Sequence, residues 1–185
     1  MMNATAERRP LARPAEPYGI MPAPATVRIE RTLPGPVERV WAYLTESDKR
    51  ATWLASGEMD LREGGAVALT FRNNNLSSTT DSAGSADVDG VITGVVRQCE
   101  PPRLLTFSWG DRGSEVTFEL SPKGTDTLLV ITHRKLADHT QLLSVSAGWH
   151  AHVGLLLDLL SGEAPRSFWP EHARLEKDYA ERFPG

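Results

Sequence analysis

The sequence predicts an α+β fold: a curved antiparallel sheet of about six or seven strands packed against one long C-terminal helix, with two short helices after the first strand. Three observations carry that prediction. Residues 138–161, DHTQLLSVSAGWHAHVGLLLDLLS, place Leu142, Val145, Trp149, Val153, Leu156 and Leu160 at three-or-four spacing, which lines one helix face over about six turns. Between residues 58 and 135, short runs of alternating apolar and polar residues are separated by Gly and Pro turns, the pattern of strands with one buried side. With 185 residues, 40% of them hydrophobic, the chain can bury one substantial core, and two full domains would be cramped.

Taken in order, residues 1–25 hold five of the thirteen prolines and show no periodicity, so a disordered tail that folding does not need is expected there. Residues 26–33 alternate, with Val27, Ile29, Arg31 and Leu33 on one side, until Pro34-Gly35-Pro36 ends the strand. Pro36 suits the first position of a helix in which Val37, Val40, Trp41 and Leu44 recur at helical spacing. Thr45, followed by Asp48, is expected to cap a second short helix ending near Trp53 and Leu54. Residues 58–61 read as a strand, Gly64-Gly65 as a turn, and residues 66–72 as a strand with Val67, Leu69 and Phe71 on one face. Residues 73–87, NNNLSSTTDSAGSAD, form a polar connection longer than a hairpin needs, read as a mobile loop with a lid over a ligand as the alternative.

In residues 88–98, Gly90, Ile92, Gly94 and Val96 share a face, and the glycines allow the sheet to bend. Residues 103–109 set Leu105, Phe107 and Trp109 on one side, residues 114–120 set Val116, Phe118 and Leu120 inward, and residues 125–135 set Leu129, Ile131 and His133 together. Asp138, with Gln141 three residues on, marks the start of the long helix, and Ser161-Gly162 its stop. Beyond it, Phe168, Leu175, Tyr179 and Phe183 make a thinner apolar stripe, expected as a helix starting near Pro170 and docking on the domain. The expected organisation is a tail over 1–25, a ligand-binding domain over 26–161 and a helical extension over 162–185.

The net charge of −4 carries no long single-sign run, which argues against nucleic acid and an anionic membrane as partners. Eighteen consecutive apolar residues occur nowhere, and the first thirty lack a secretory core, so neither membrane insertion nor export is expected and the cytoplasm is the expected compartment. The single Cys99 permits neither an intrachain disulfide nor a thiolate cluster and reads as a small buried hydrophobe.

His150 and His152 lie about 200° apart on the helix, unlike an i,i+4 metal pair, and a His133-His139-His150 site would need three elements to converge. No metal and no cofactor are expected. His133, on the inward face, is the best acid–base candidate, with a satisfied core histidine as the plainer reading. Ser108, Ser144 and Ser146 lack a nucleophile elbow, and Gly64-Gly65 lacks the Lys of a phosphate loop, so no catalytic residue is assigned.

The strings PGPVERVWAYLTESDKRATWL, DLREGG, GVVRQCEPPRLLTFSW and LVITH leading to Gly148-Trp149 resemble, in their order and spacing, the START-type helix-grip (SRPBCC) superfamily. Within it they are similar to the bacterial family named after the C-terminal domain of the activator of heat-shock protein 90 ATPase, over about residues 26–161. The resemblance implies a strongly curved sheet gripping the long helix around an apolar cavity that, in many relatives, takes a small hydrophobic molecule. Combined with the inward-facing pattern, it implies a cavity lined by Leu69, Phe71, Ile92, Phe107, Trp109, Phe118, Leu129, Ile131, His133, Val145, Trp149 and Val153. Trp41 and Trp53 read as packing residues. The eukaryotic cochaperone carries a large additional N-terminal domain that a 25-residue tail cannot supply, so its activity is not carried over.

The function expected is noncatalytic binding of a small hydrophobic or amphipathic molecule. Two alternatives stand beside it: an enzyme of the same fold, of cyclase or hydrolase type, and a chaperone-linked interaction module using the C-terminal helix. A protein partner or a homodimer stays open.

Overall fold

Alternation along each strand decides which side chains turn inward, and pairing then sets them side by side. The computed structural model describes residues 16–78 and 90–185. In it β1 (Ile20–Ala23), β2 (Thr26–Leu33), β3 (Ala66–Phe71), β4 (Gly90–Glu100), β5 (Leu104–Trp109), β6 (Ser114–Lys123) and β7 (Asp126–Arg134) form one antiparallel sheet in the order β1-β2-β7-β6-β5-β4-β3. The helices α1 (Val37–Thr45) and α2 (Ser47–Arg50) follow β2, a 3-10 turn (Asn73–Leu76) follows β3, and α3 (His139–Leu160) and α4 (Phe168–Arg182) come last. Ile29 of β2 lies opposite Ile131 of β7, which lies opposite Phe118 of β6, so inward residues of three strands form a continuous buried row. Each such fully buried side chain contributes about 1.5–3 kcal/mol. This is an α+β helix-grip architecture, with α3 lying on the inward face of the sheet.

The start of α3 is capped by Asp138, whose Oδ1 accepts from Gln141 N at 2.8 Å, while Gln141 Oε1 accepts from Ala137 N at 2.6 Å. The predicted stripe is buried at Leu142, Trp149, Val153, Leu156 and Leu160, and half-buried at Val145. Burial does not stop at that stripe. His150, Gly154 and Asp158 are buried as well, because α4 covers the face that the sheet leaves open. Gly154 leaves room for Arg166: a Cβ would approach Arg166 Nη1 to 2.7 Å and push the guanidinium aside. By length and composition α3 could cross a bilayer, and here it is enclosed between the sheet and α4.

Several expectations change. Residues 16–25 are ordered instead of being a tail, and Ile20–Ala23 pairs with β2. All four residues of β1 are exposed, so its hydrogen-bonded backbone left no apolar pattern to read. The tail expected over residues 1–15 lies outside the described residues. The segment expected as a strand over 58–61 makes only isolated bridges, Ser56 to Thr70 and Met59 to Val67, and Gly57, with φ of 115°, turns the chain against the Ala68 carbonyl.

Thr45 does not cap α2. Its hydroxyl donates back to Trp41 O at 2.8 Å, and α2 stops at Arg50. Arg50 is buried and donates to Leu44 O and Thr45 O at 3.3 and 2.8 Å, to Ala55 O at 3.1 Å and to Gly57 O, satisfying carbonyls left by the end of α1. In β4 the bend is a bulge between Val96 and Gln98, and Gly94 is needed for close approach to the Ser108 carbonyl. The first residues of the 73–87 connection form the 3-10 turn, and residues 79–87 lie outside the described residues. The last helix begins at Phe168, two residues before Pro170.

Candidate functional site

Where β3 and β5 end, the sheet stops covering the N-terminal half of α3. The gap is bounded by Leu54, Phe71, Asn73 and Trp109 on one side, by Ser144, Val145, Gly148, Trp149 and His152 along α3, and by Phe168, Trp169 and His172 of α4. The resulting cleft has a volume of about 210 Å³. Its walls are mostly rings. Trp109 meets Trp149 edge-on at 5.2 Å between centroids and Phe71 at 5.7 Å, while Phe168 lies 4.4 Å from His152 and 5.4 Å from His172.

Hydrogen bonds fix these rings from behind. Trp149 Nε1 donates to His133 Nδ1 at 3.0 Å, which makes His133 a neutral ring with its proton on Nε2. His152 Nδ1 donates to Trp53 O at 2.6 Å, which leaves Nε2 as an acceptor in the neutral ring. Burial holds both histidines down to about 4, and it lowers His172 as well. Among the described residues no charged side chain lines the cleft.

The rim of the cleft is fastened where the 3-10 turn meets α4. Trp169 Nε1 donates to Asn74 Oδ1 at 2.7 Å, Trp169 N to Ser77 Oγ at 3.0 Å, and Ser78 N to Ser167 Oγ at 3.1 Å. Ser167 is the N-cap of α4, yet its hydroxyl serves this tie instead of its own helix.

Gly148 is the unusual residue of the floor. A glycine inside a helix costs about 0.5–1 kcal/mol relative to alanine. Neither a positive φ nor a crowded neighbour requires it here, because a Cβ would meet nothing within 4 Å. The contrast with Gly154, pressed against Arg166, is plain.

Of the twelve positions expected at a cavity, Phe71, Trp109, Val145 and Trp149 line the cleft. Leu69, Phe107, Phe118, Leu129, Ile131 and Val153 are instead packed into the core, and Ile92 is half-buried beside it. The space expected along the whole sheet–helix interface is filled by these side chains and survives as a cleft at one end. His133 sits behind Trp149, fully buried, with Nε2 unpartnered and away from the cleft. Sequence reasoning missed Leu54, Asn73, Ser144, Gly148, His152, Phe168, Trp169 and His172. The adjacent aromatics Phe168-Trp169 in a polar extension were the available signal.

The other histidines are spoken for separately. His150 shares a hydrogen bond with Tyr179 Oη at 3.1 Å, and His139 Nε2 donates to Phe183 O at 2.6 Å. No three metal-ligating side chains converge among the described residues. Cys99 is half-buried, and burial raises its thiol. The apolar residues Phe168, Leu175 and Tyr179 of α4, with Phe183 just beyond it, are buried within this chain.

A family model described as Activator of Hsp90 ATPase homolog 1-like protein matches residues 34–161. Among solved structures, the chain is similar to a protein from Bordetella parapertussis, with 41% identity, 92% of each chain covered and a TM-score of 0.76. It is also similar to CalU16 from Micromonospora echinospora, with 28% identity, 84% of this chain and 86% of that one covered, and a TM-score of 0.63. A conserved protein of unknown function from Enterococcus faecalis, with 19% identity, 86% of each chain covered and a TM-score of 0.63, shares the fold. Comparison with curated proteins finds no match.

Proposed function

Because this chain belongs to the Activator of Hsp90 ATPase homolog 1-like family, we propose that it binds a small hydrophobic or amphipathic molecule in the cleft between the sheet, α3 and α4. The observation that carries this reading is Gly148. The helix forgoes the stability that alanine would supply at a position where a side chain fits, and what that omission leaves is open space in an aromatic cleft. A site kept for ligand accounts for such a residue, and core packing does not.

An enzymatic reading through His133 lacks geometry, because its ring is sealed behind Trp149 and its Nδ1 is occupied. The test is filling the floor. A hydrophobic fluorescent probe should bind the full chain saturably, and Gly148→Leu should abolish that binding without lowering Tm. Undiminished binding in this variant would place the ligand elsewhere. Native mass spectrometry of the protein from its own host would then identify what co-purifies.

A further inference from the structure

One polar atom of the cleft is an acceptor left unmet. Asn73 Oδ1 is buried and has no hydrogen-bond partner among the described residues, although Asn73 lines the cleft. A buried carbonyl oxygen without a donor is rare in folded proteins and points to a missing group. His152, also on the wall, has committed its Nδ1 proton to Trp53 O and retains Nε2 as an acceptor. The two indole donors at the cleft are used elsewhere: Trp169 Nε1 on Asn74 and Trp149 Nε1 on His133. A ligand that satisfies Asn73 Oδ1 must therefore bring a donor. The described walls also favour an uncharged one, since among the described residues no cation lines the cleft to offset a carboxylate and no carboxylate lines it to hold an ammonium.

Shape narrows the class further. An apolar cavity of about 150 Å³ takes benzene, so the 210 Å³ here suits a substituted ring or a fused bicycle. Aromatic rings on both walls favour a flat π-system through ring contacts. Resting on the reading of this cleft as a binding site, we propose that its ligand is a neutral hydroxyarene whose hydroxyl donates to Asn73 Oδ1, with His152 Nε2 as the second acceptor. The 3-10 turn and α3 thereby set specificity. The α4 wall of the cleft, Phe168, Trp169 and His172, lies outside the segment 34–161 that matches the family model.

Calorimetric titration of the full chain with 2-naphthol, 2-methoxynaphthalene, naphthalene and 2-naphthoate tests this. We expect 2-naphthol to bind about tenfold or more tightly than 2-methoxynaphthalene, which matches it in rings but cannot donate, and 2-naphthoate to bind worst. Asn73→Leu should erase the preference between the first two while naphthalene binding persists. Because His152 is buried and its replacement threatens folding, Asn73→Leu is the deciding variant.

Equal affinities for 2-naphthol and 2-methoxynaphthalene, both lost in Gly148→Leu, would overturn the donor inference and leave the cleft as a binding site. An unchanged preference in Asn73→Leu would also overturn it. Binding of none of the four, or binding that survives Gly148→Leu, would overturn the cleft reading together with this one.

Discussion

Trp149 meets two demands with one ring. Its indole is 3% exposed, donates to His133 and packs edge-on against Phe118 and Trp109, while another part borders the cleft. Trp149→Ala is expected to destabilise the chain by about 3–5 kcal/mol, toward the lower end because part of the ring already lacks packing partners. The same change should alter affinity for an apolar probe. Urea unfolding and probe titration read the two effects apart, and a full stability loss with unchanged affinity would make the residue ordinary core.

At this scale the buried histidines also set a pH response. His133 and His152 are held near 4 and His150 near 3, chiefly by burial, below an ordinary value of 6.5. Since the unfolded chain takes up protons that the folded one refuses, stability is fully present above pH 6.5 and is lost as pH falls toward 4. Each histidine contributes a slope of about 1.4 kcal/mol per pH unit over that window. The urea midpoint should fall steeply between pH 6.5 and 4, and a flat profile there would contradict neutral burial.

At the scale of elements, α3 is under two pressures that differ along its length. Its C-terminal half is clamped on both sides: Arg166 Nε and backbone N reach Asp158 Oδ2 at 2.9 Å, and Arg166 Nη2 reaches Asp158 Oδ1 at 2.9 Å and Glu16 Oε1 at 2.6 Å. Its N-terminal half faces the cleft, where Gly148 keeps a turn thin. Gly148→Ala is expected to stabilise the chain by about 0.5–1 kcal/mol and to weaken probe binding at once. Thermal unfolding and probe titration on one preparation would show it. A loss of stability would mean that the space beside Gly148 is not open.

For the whole molecule, the N-terminal arm closes the fold. Glu16 lies between Arg31 Nε, at 3.2 Å, and Arg166. Tyr18 Oη donates to Asp178 at 2.6 Å, Gly19 N donates to Tyr179 Oη at 2.7 Å, and Arg182 lies over the Tyr18 ring. Removing residues 1–25 would leave Arg31, 4% exposed, without its carboxylate. Breaking a buried pair costs about 3–5 kcal/mol, and in a chain of this size 1 kcal/mol is about 2–4 °C. Calorimetry should therefore show a Tm lower by roughly 10 °C or more for that truncation. A Tm within a degree or two of the full chain would restore the dispensable tail.

The inward faces of the strands, the span of α3 and the burial of Arg31's side of β2 were legible from the sequence alone, because one-sided contact with water imposes a period of two or of three-to-four. β1 left no such trace, since what holds it is a backbone ladder and its side chains are all exposed. The second face of α3 was hidden for a different reason: His150 and Asp158 are polar, and their partners Tyr179 and Arg166 come from beyond the helix, with Glu16 reaching Arg166 from the start of the described chain.

The candidate site divides the same way. Phe71, Trp109, Val145 and Trp149 were reachable by alternation and helical spacing, which report that a face is dry. Periodicity does not report which atoms make it dry, so it could not separate the packed Phe107 or Ile131 from residues bordering empty space. Only the docking of α4 beside the 3-10 turn brings Phe168, Trp169 and His172 to Asn73, and that contact creates the cleft.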